Sequence, residues 1–448
     1  MGGSRSWRAF AAAIAAATLV GACGGSTSSS SSSASSTGSS SATAKSSGAA
    51  QGSAINVGVI APFTGPAAEF GKLLSAPCYA ATDLINKAGG VLGHPLHCTA
   101  IDDTGDAADA VPNVTRAIAT IPNLDMAEGL ESNTAATTVP IVNGAKIPFV
   151  TTNGLVAFSK NDYQYYWRLT PSDDANGAAF AVWAVRKGYK NVAVVFQNGI
   201  GSQGNLPGVL SAMHKLGGKL SLQMTIPADS ASYQSEVAKV IADKPGALIW
   251  SADPQTTATF MSEYKQLNNG QLPAMITATD SLTPDFYNAL TKVVGSNYVT
   301  HDVYLVGSSF SQTTPAFALY KGALSSDPRT HAIANVLSAV GPPASVYDGL
   351  NILALAMIEA KSTVGSVYNS YIEGIVTPKP GAVVVDSFAA GKQALAEGKK
   401  IQYVGVLGPV VFDRYHNSAG TFAANMFTTS GAAQRVGTIS GSQVLGLL

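Results

Sequence analysis

The chain has 448 residues, a formal net charge of zero and a charged fraction of 12%, about half the usual share. Such sparse and balanced charge argues against nucleic acid or a strongly charged protein as a partner, because phosphate binding requires many basic side chains. Hydrophobic residues make up 46% of the chain, and a chain of this length is expected to fold as more than one domain or lobe.

The N-terminus has the pattern of a bacterial lipoprotein signal. Arg5 and Arg8 precede an apolar run over 9–20 that is too short to span a bilayer, and small residues lead to Cys23. We predict that residues 1–22 are a signal peptide and that lipid on Cys23 anchors the chain to the outer face of the cytoplasmic membrane. The alternative is a buried N-terminal helix.

Residues 23–53 are nearly all Ser, Gly, Ala and Thr, so they bury too little apolar surface to offset chain entropy and should form a flexible tether. No second run of about twenty apolar residues follows, so the sequence predicts no other membrane span. With Cys23 lipidated, only Cys78 and Cys98 remain. Outside the cell such a pair usually forms a disulfide, and the alternative is two small buried thiols that never meet.

The body from residue 54 onward alternates strands and helices in two successive series. The first series has strands at 55–60, 96–101, 126–127 and 148–150, and helices at 70–87, 107–120 and 134–144. The second has strands at 192–196, 221–226 and 247–250, and helices at 176–187, 206–216 and 233–242. Strands separated by helices indicate parallel sheets covered on both faces, and two series indicate two similar lobes.

Open parallel sheets bind ligands at the carboxyl ends of their strands. This rule selects the loops that follow the predicted strands as the binding region. They are 61–71, 129–134, 151–155, 197–204, 251–255 and 277–281.

Seven motifs are distributed in order over the whole body. They are INVGVIAPFTGPAAEFG at 55–71, INKAGGVLG at 85–93, DD at 102–103, IPFV at 147–150, RLTPSD at 168–173, YDG at 347–349 and GPVVFD at 408–413. Together they resemble the branched-chain amino acid (Leu/Ile/Val)-binding proteins of ABC transporters. The resemblance implies the type I periplasmic-binding fold, an α/β architecture of two Rossmann-like lobes with parallel sheets.

The same resemblance implies three crossovers between the lobes, near Thr170, Val299 and Tyr403. Lobe 1 would then comprise residues 54–170 and 300–403, and lobe 2 residues 171–299 and 404–448.

The resemblance also implies a ligand site. In relatives two loops of the first lobe hold the ligand carboxylate, an acid of the second lobe meets the ammonium, and an aromatic covers the cleft. The matching residues are Ser132, Asn133, Thr134, Thr151, Thr152, Asn153 and Gly154 for the carboxylate, Asp280 for the ammonium, Phe70 for the cover, and Ile200 and Asp253 in neighbouring loops.

Alternatives remain at these positions. The alternative for Phe70 is a core position, and the alternative for Asp280 is an exposed surface position. Leu155 stands where relatives often carry a hydroxyl, and Ile200 and Gly201 where they often carry an aromatic, so the site could be roomier than that of a simple aliphatic amino acid.

The function implied is capture of a small molecule between the lobes and its delivery to an ABC permease, without cofactor or metal. A ligand sensor of the same fold that signals to a membrane partner is the first alternative. An NAD enzyme is the second, because Gly199-Ile200-Gly201-Ser202-Gln203-Gly204 satisfies the dinucleotide-binding pattern between a strand and a helix. Two observations argue against an NAD enzyme: the motif lies in the second lobe, and Asp229 lies too far along the chain to act as the ribose-binding acid.

Overall fold

The computed structural model describes residues 50–65, 68–418 and 420–448. The predicted signal peptide 1–22, the lipidation site Cys23 and most of the tether 23–53 lie outside the described residues, so these features stay predictions.

The first lobe is built on five parallel strands, with the hydrophobic residues of each strand alternating between its two faces. Val57 and Val59 contribute to the hydrophobic cluster on one face and Ile60 to the cluster on the other. The elements of this part are β1 (Ile55–Ala61), α1 (Ala68–Lys87), β2 (Leu96–Asp102), α2 (Ala107–Thr120), β3 (Leu124–Gly129), α3 (Ser132–Gly144), β4 (Phe149–Thr151) and β5 (Tyr166–Arg168). The sheet order is β2-β1-β3-β4-β5.

The second lobe repeats the alternation of strands and helices. Its elements are α4 (Asp173–Arg186), β6 (Asn191–Gln197), α5 (Ile200–Gly204), α6 (Leu206–Lys215), β7 (Lys219–Ile226), α7 (Gln234–Asp243), β8 (Ala247–Ser251), α8 (Pro254–Leu267), β9 (Ala274–Ala278), α9 (Pro284–Val294), α10 (Ser296–His301) and β10 (Val303–Ser309). Val194 and Val195 again point to opposite faces, each covered by its own cluster.

The chain then returns to the first lobe. This segment contains α11 (Pro315–Ser326), α12 (Ala334–Leu337), α13 (Gly341–Ala360), α14 (Gly365–Tyr368), α15 (Ile372–Val376), β11 (Val383–Val385), α16 (Phe388–Ala396) and β12 (Ile401–Tyr403). Helix α13 is buried along most of its length and shares a hydrophobic cluster with α1. No single helix among the described residues has the length and hydropathy of a membrane span; α13 passes that test only together with Gly365–Val376, and the two are bent by 90°.

The last segment completes the second lobe with β13 (Thr421–Phe427), β14 (Ala433–Ile439) and α17 (Gly441–Leu445). The second sheet has the order β14-β13-β10-β9-β8-β6-β7. Its strands are parallel except that β13 runs antiparallel to both β10 and β14. A small parallel pair of β11 and β12 lies apart from both large sheets. The predicted α/β architecture of two lobes with mainly parallel sheets is confirmed.

The three crossings lie in the loops after β5, after β10 and before β13. The first lies between Arg168, where β5 of the first sheet ends, and Asp173, where α4 begins. The second follows Ser309, because β10 pairs with β9 in the second sheet. The third follows Phe412, whose side chain belongs to the hydrophobic core of the first lobe. The second and third crossings therefore come later in the chain than the expected positions near Val299 and Tyr403.

Candidate functional site

The two lobes touch where helices α3 and α5 begin. A Cβ atom placed on Gly201 of the second lobe would lie 3.6 Å from the Cβ of Ser132 in the first lobe. Both helices follow the carboxyl end of a strand, β3 and β6, so this contact lies at the edge of each sheet where parallel α/β folds bind ligands.

The polar loops of the first lobe are hydrogen-bonded to each other. The backbone amide of Gly154 donates to Ser132 Oγ at 3.1 Å. The hydroxyl of Thr151 donates to the Leu130 carbonyl at 3.0 Å, and that of Thr152 donates to the Gly129 carbonyl at 3.2 Å. The loops after β3 and β4 thus form one rigid unit.

Two further predicted residues also have partners inside the first lobe. Thr134 is fully buried, and its hydroxyl donates to Asp103 Oδ2 at 2.7 Å. Asn133 is exposed, but its backbone amide donates to Glu131 Oε2 at 2.9 Å. Glu131 precedes α3 and caps it. An amide at the start of α3 that was expected to face a ligand carboxylate therefore binds a carboxylate of the protein itself.

Asn153 differs from its neighbours because one of its polar atoms has no partner. The residue is fully buried, and its Nδ2 donates to the hydroxyl of Thr151. Its Oδ1 accepts no hydrogen bond. A buried acceptor without a donor is costly. The hydroxyl of Tyr166 is also fully buried, and its interaction with Asn153 opposes the rise in the pKa of Tyr166 that burial causes, so Tyr166 is the donor of the protein that lies near this side chain.

The predicted residues of the second lobe have different surroundings. Asp280 lies in a 3-10 turn, Thr279–Ser281, directly after β9. Its side chain is accessible to solvent, yet desolvation by the surrounding protein raises its pKa, as expected for a carboxyl in a cleft. Asp253 caps α8, where Oδ1 accepts the Thr256 amide at 2.8 Å. Ile200 begins α5 and is 54% exposed.

Phe70 lies half-buried in the first turn of α1, next to Glu69. Burial raises the pKa of Glu69, and the carboxylates of Asp285 and Asp253 in the second lobe raise it further. The start of α1 therefore faces the helix starts of α8 and α9 across the gap between the lobes.

Asp173 is a site residue that sequence reasoning did not select. It is the first residue of α4 and is 8% exposed, and its amide donates to the Gly154 carbonyl at 2.6 Å. Its carboxyl lies between two glycines: a Cβ on Gly154 would be 1.7 Å from Oδ1, and a Cβ on Gly204 would be 2.5 Å from Oδ2. Only glycine can occupy these two positions without displacing Asp173.

The electrostatic surroundings of Asp173 are strongly acidic. Burial and, after it, the charge of Asp280 raise its pKa to about 7, with smaller effects from Arg168, which opposes the shift, and from Asp174 and Glu131. Burial also raises the pKa of Glu131 to about 7. The sequence contained a signal for both residues, since Asp173 ends the motif at 168–173 and Glu131 lies in the selected loop 129–134.

The structure also contains the disulfide between Cys78 and Cys98, whose Cα atoms are 6.2 Å apart. It joins α1 to β2 within the first lobe, away from the contact between the lobes. Two open surface depressions, of about 650 Å³ beside 161–164 and 414–416 and about 540 Å³ between α8 and α9, contain none of the predicted ligand residues.

Comparison with known families is decisive for the classification. The profile of the periplasmic binding protein family matches residues 54–339, which is more than half of the chain and includes the contact between the lobes. The chain belongs to this family. The resemblance recognised from the seven motifs is thereby confirmed.

Individual proteins match this periplasmic binding protein either over a short segment or at low sequence identity. Leu/Ile/Val-binding protein homolog 3 of Brucella melitensis is 42% identical over 57 residues, which is 13% of this chain and only 16% of that protein. The crystal structure of a leucine-binding protein of Thermotoga maritima has a TM-score of 0.67 at 16% identity, covering 87% of this chain and 99% of the other. A solute-binding protein of Rhodopseudomonas palustris, in complex with p-hydroxybenzoic acid, has the same TM-score and identity over 88% and 99%. At such identities the structural likeness supports the fold.

The glycine-rich segment of this periplasmic binding protein has a different environment from a dinucleotide site. Gly201 faces Ser132, and Gly204 contacts the carboxyl of Asp173. A pyrophosphate at this segment would therefore meet a carboxylate, which repels it. Within the described residues, no group of three or more His, Cys, Asp or Glu side chains could hold a metal ion.

Proposed function

We propose that this chain is an extracytoplasmic, lipid-anchored solute-binding protein that captures a small amino-acid-like or amphipathic molecule between its lobes and delivers it to an ABC permease. The observation that carries the proposal is the contact between Ser132 of the first lobe and Gly201 of the second, at the carboxyl ends of strands of both sheets, in a chain of this family. Relatives with this fold have been crystallised with isoleucine and with p-hydroxybenzoic acid, which supports the two classes of solute to be tested first.

The mechanism that follows is binding coupled to closure. The first lobe supplies Ser132, Thr152 and Asn153, and the second supplies Asp280. A solute that contacts both sets favours the closed arrangement, because only there are all its contacts made, and the crossings between the lobes act as the hinge.

A screen of thermal unfolding tests the capture of a solute. The purified full chain is heated with amino acids, amino acid amides, amines and small aromatic acids, and a true ligand at 100 times its Kd should stabilise the chain by about 2.7 kcal/mol. Calorimetry with the best compound should then show that Asp280→Ala weakens binding more than Thr152→Ala, since a lost charged partner costs about 2 to 5 kcal/mol and a neutral hydrogen bond about 1 kcal/mol. The absence of stabilisation by every compound would contradict the proposal.

Membrane fractionation tests the anchor independently. Cys23→Ala removes the only residue that we expect to be lipidated, so the variant should appear in the soluble fraction while the parent remains with membranes. Retention of the variant on membranes would refute the lipoprotein assignment. It would not affect the proposal that the chain captures a solute.

A further inference from the structure

The surfaces that face each other between the lobes carry six carboxyl groups, which we call the cleft carboxylates. They are Glu69 and Glu131 of the first lobe and Asp173, Asp253, Asp280 and Asp285 of the second. Asp173 lies against Gly154 of the first lobe, and Glu131 caps the helix that begins at Ser132, so both carboxyl groups lie at the contact between the lobes. After burial, Asp285 and Asp253 raise the pKa of Glu69, and Asp280 and Glu131 raise that of Asp173.

No cleft carboxylate has a basic partner. The ion pairs within the described residues are those of Arg329 with Asp83 and Asp327 and of Lys399 with Glu397, and none involves the cleft. Arg168 opposes the rise that burial and Asp280 cause in the pKa of Asp173. Its guanidinium donates to the Leu155 carbonyl at 3.0 Å and to Ser159 Oγ at 2.9 Å, and its buried Nε has no hydrogen-bond partner. The space between the lobes is therefore negative, and like charges on both sides oppose closure.

Two carboxyl oxygens in this space are buried without any hydrogen-bond partner. They are Oδ2 of Asp173, whose side chain is more than nine-tenths buried, and Oε1 of Glu131. Oδ2 of Asp173 lies next to Gly204, the last residue of α5 in the second lobe. Buried carboxyl oxygens require donors, and donors with positive charge compensate them best.

The position of Glu131 also affects whether the ligand can carry a carboxylate. Its Oε2 accepts the amide of Asn133 at the start of α3, while Ser132 Oγ accepts the amide of Gly154. Both of these amides are thus already bound to oxygens of the protein. A ligand carboxylate at this place would displace the protein's own carboxyl and be repelled by it.

A bare metal ion does not match the arrangement, because no three acidic, His or Cys side chains of the described residues converge as ligands. The positive charge must therefore come on a larger molecule that can reach carboxyl groups of both lobes.

We propose that the ligand of this cleft is an organic cation, with an ammonium or guanidinium group and no free carboxylate, whose N–H groups donate to Asp173 and Glu131. The inference rests on the proposed function as a solute-binding protein and specifies the charge of its solute.

Affinities of the purified full chain for matched pairs of compounds test the charge of its ligand directly. We would measure calorimetric affinities for leucinamide against leucine, agmatine against arginine, and benzylamine against benzoate. In each pair the first compound is the cation without a carboxylate, and we expect at least tenfold tighter binding of the cation in every pair that shows binding. Calcium chloride alone should give no stabilisation.

Two neutral variants then test the assigned residues. Asp173→Asn and Glu131→Gln keep the shape of each side chain and remove its charge, so each should reduce the preference for the cation about tenfold. Asp109→Asn is the matched control, because Asp109 is an exposed carboxylate in the first turn of α2, outside the cleft. The comparison of compounds on the parent chain needs no variant and stands even where a variant fails to fold.

Each other result overturns the proposal. Tighter binding of leucine, arginine or benzoate than of its cationic partner would leave solute capture standing and refute the assigned charge. Stabilisation by calcium equal to that by the best amine would assign the cleft to a metal. An unchanged preference in both neutral variants would refute the roles of Asp173 and Glu131. If no cation stabilises the chain the inference fails, and if no compound of any charge does so the proposed function fails with it.

Discussion

At the scale of single residues, the carboxyl of Asp173 is the most constrained group of the site. It is enclosed by Gly154 and Gly204, which leave no room for larger side chains, and its amide is bound to the first lobe. The residue thus belongs to a helix of one lobe and contacts a loop of the other. A charge at this position affects both the stability of the fold and the approach of the lobes.

The raised pKa of Asp173 predicts a pH dependence of stability. Its folded-state pKa of about 7 lies above the unfolded value near 4, so the folded chain holds the proton more tightly, and the free energy of unfolding should fall as the pH rises from 5 to 7. Facing groups are Asp280, Asp174, Glu131 and Arg168. Asp173→Asn should reduce this fall by about 2 kcal/mol.

Urea denaturation at pH 5, 6, 7 and 8 measures this effect. The control is Asp109→Asn, whose exposed carboxyl lies outside the site. An identical fall in the parent and in Asp173→Asn would show that the proton is not held there.

The sequence identified the loops of the site but not all its residues, for a local reason. The periodicity of apolar residues placed the start of α4 at 176, whereas the helix begins at Asp173. Ser172, Asp173 and Asp174 are acidic and polar residues that are typical of a first helical turn but carry no apolar period. The burial of Asp173 depends on Gly154 of the other lobe, a contact that no local pattern contains.

At the scale of elements, α13 holds the loop after β12, which leads to the third crossing. Asp348 of this helix is fully buried and accepts three hydrogen bonds: from Tyr403 OH at 2.9 Å, from the Val406 amide at 2.9 Å and from the Leu407 amide at 2.7 Å. Burial raises its pKa to about 6, although these donors favour the ionised form. The side chain therefore fastens the loop after β12 to the core.

Replacement of Asp348 should strongly destabilise the fold. Asp348→Ala leaves three buried donors without an acceptor and is expected to lower the free energy of unfolding by about 3 to 5 kcal/mol. Tyr403→Phe removes only one of the three bonds and should cost about 1 kcal/mol. Chemical denaturation of the two variants side by side measures the difference, and equal costs would mean that the loop is held by other contacts.

The disulfide is the second feature at this scale. Cys78 and Cys98 are separated by 20 residues in sequence, and a bridge closing a loop of that size should stabilise the chain by about 3 kcal/mol. Non-reducing mass spectrometry of exported protein should find the linked peptides, and the double variant Cys78→Ala/Cys98→Ala should lose that stability in denaturation. Free thiols at both positions would contradict the pairing.

The predicted bounds of an element were most accurate where the spacing of its apolar residues is regular. Helix α2 has the predicted bounds, 107–120, because Asp106 caps it and its apolar face is regular. The crossings after β10 and before β13 were placed too early. The apolar pattern of a buried strand such as β10 is the same in either sheet, and its partner β13 lies far along the chain.

At the scale of the whole molecule, two of the crossings are joined. The Arg168 amide donates to the His416 carbonyl at 2.9 Å, and the Ser418 amide donates to the Arg168 carbonyl at 2.8 Å. The first and third crossings therefore form a short paired segment at the hinge. Movement of the lobes should bend this segment as a unit and separate Ser132 from Gly201.

A cross-link between Ser132 and Gly201 tests this movement. The Cβ of Ser132 and a Cβ placed on Gly201 would be 3.6 Å apart, within the range of disulfides, so Ser132→Cys/Gly201→Cys should oxidise readily. Without ligand, the oxidised double variant should have a smaller radius of gyration in small-angle X-ray scattering than its reduced form, because the bridge prevents the lobes from separating. Since the reductant also acts on Cys78 and Cys98, the parent chain treated with it is the control. Equal radii in both redox states, with the cross-link verified by mass spectrometry, would show that the lobes stay together without ligand and that binding does not depend on closure.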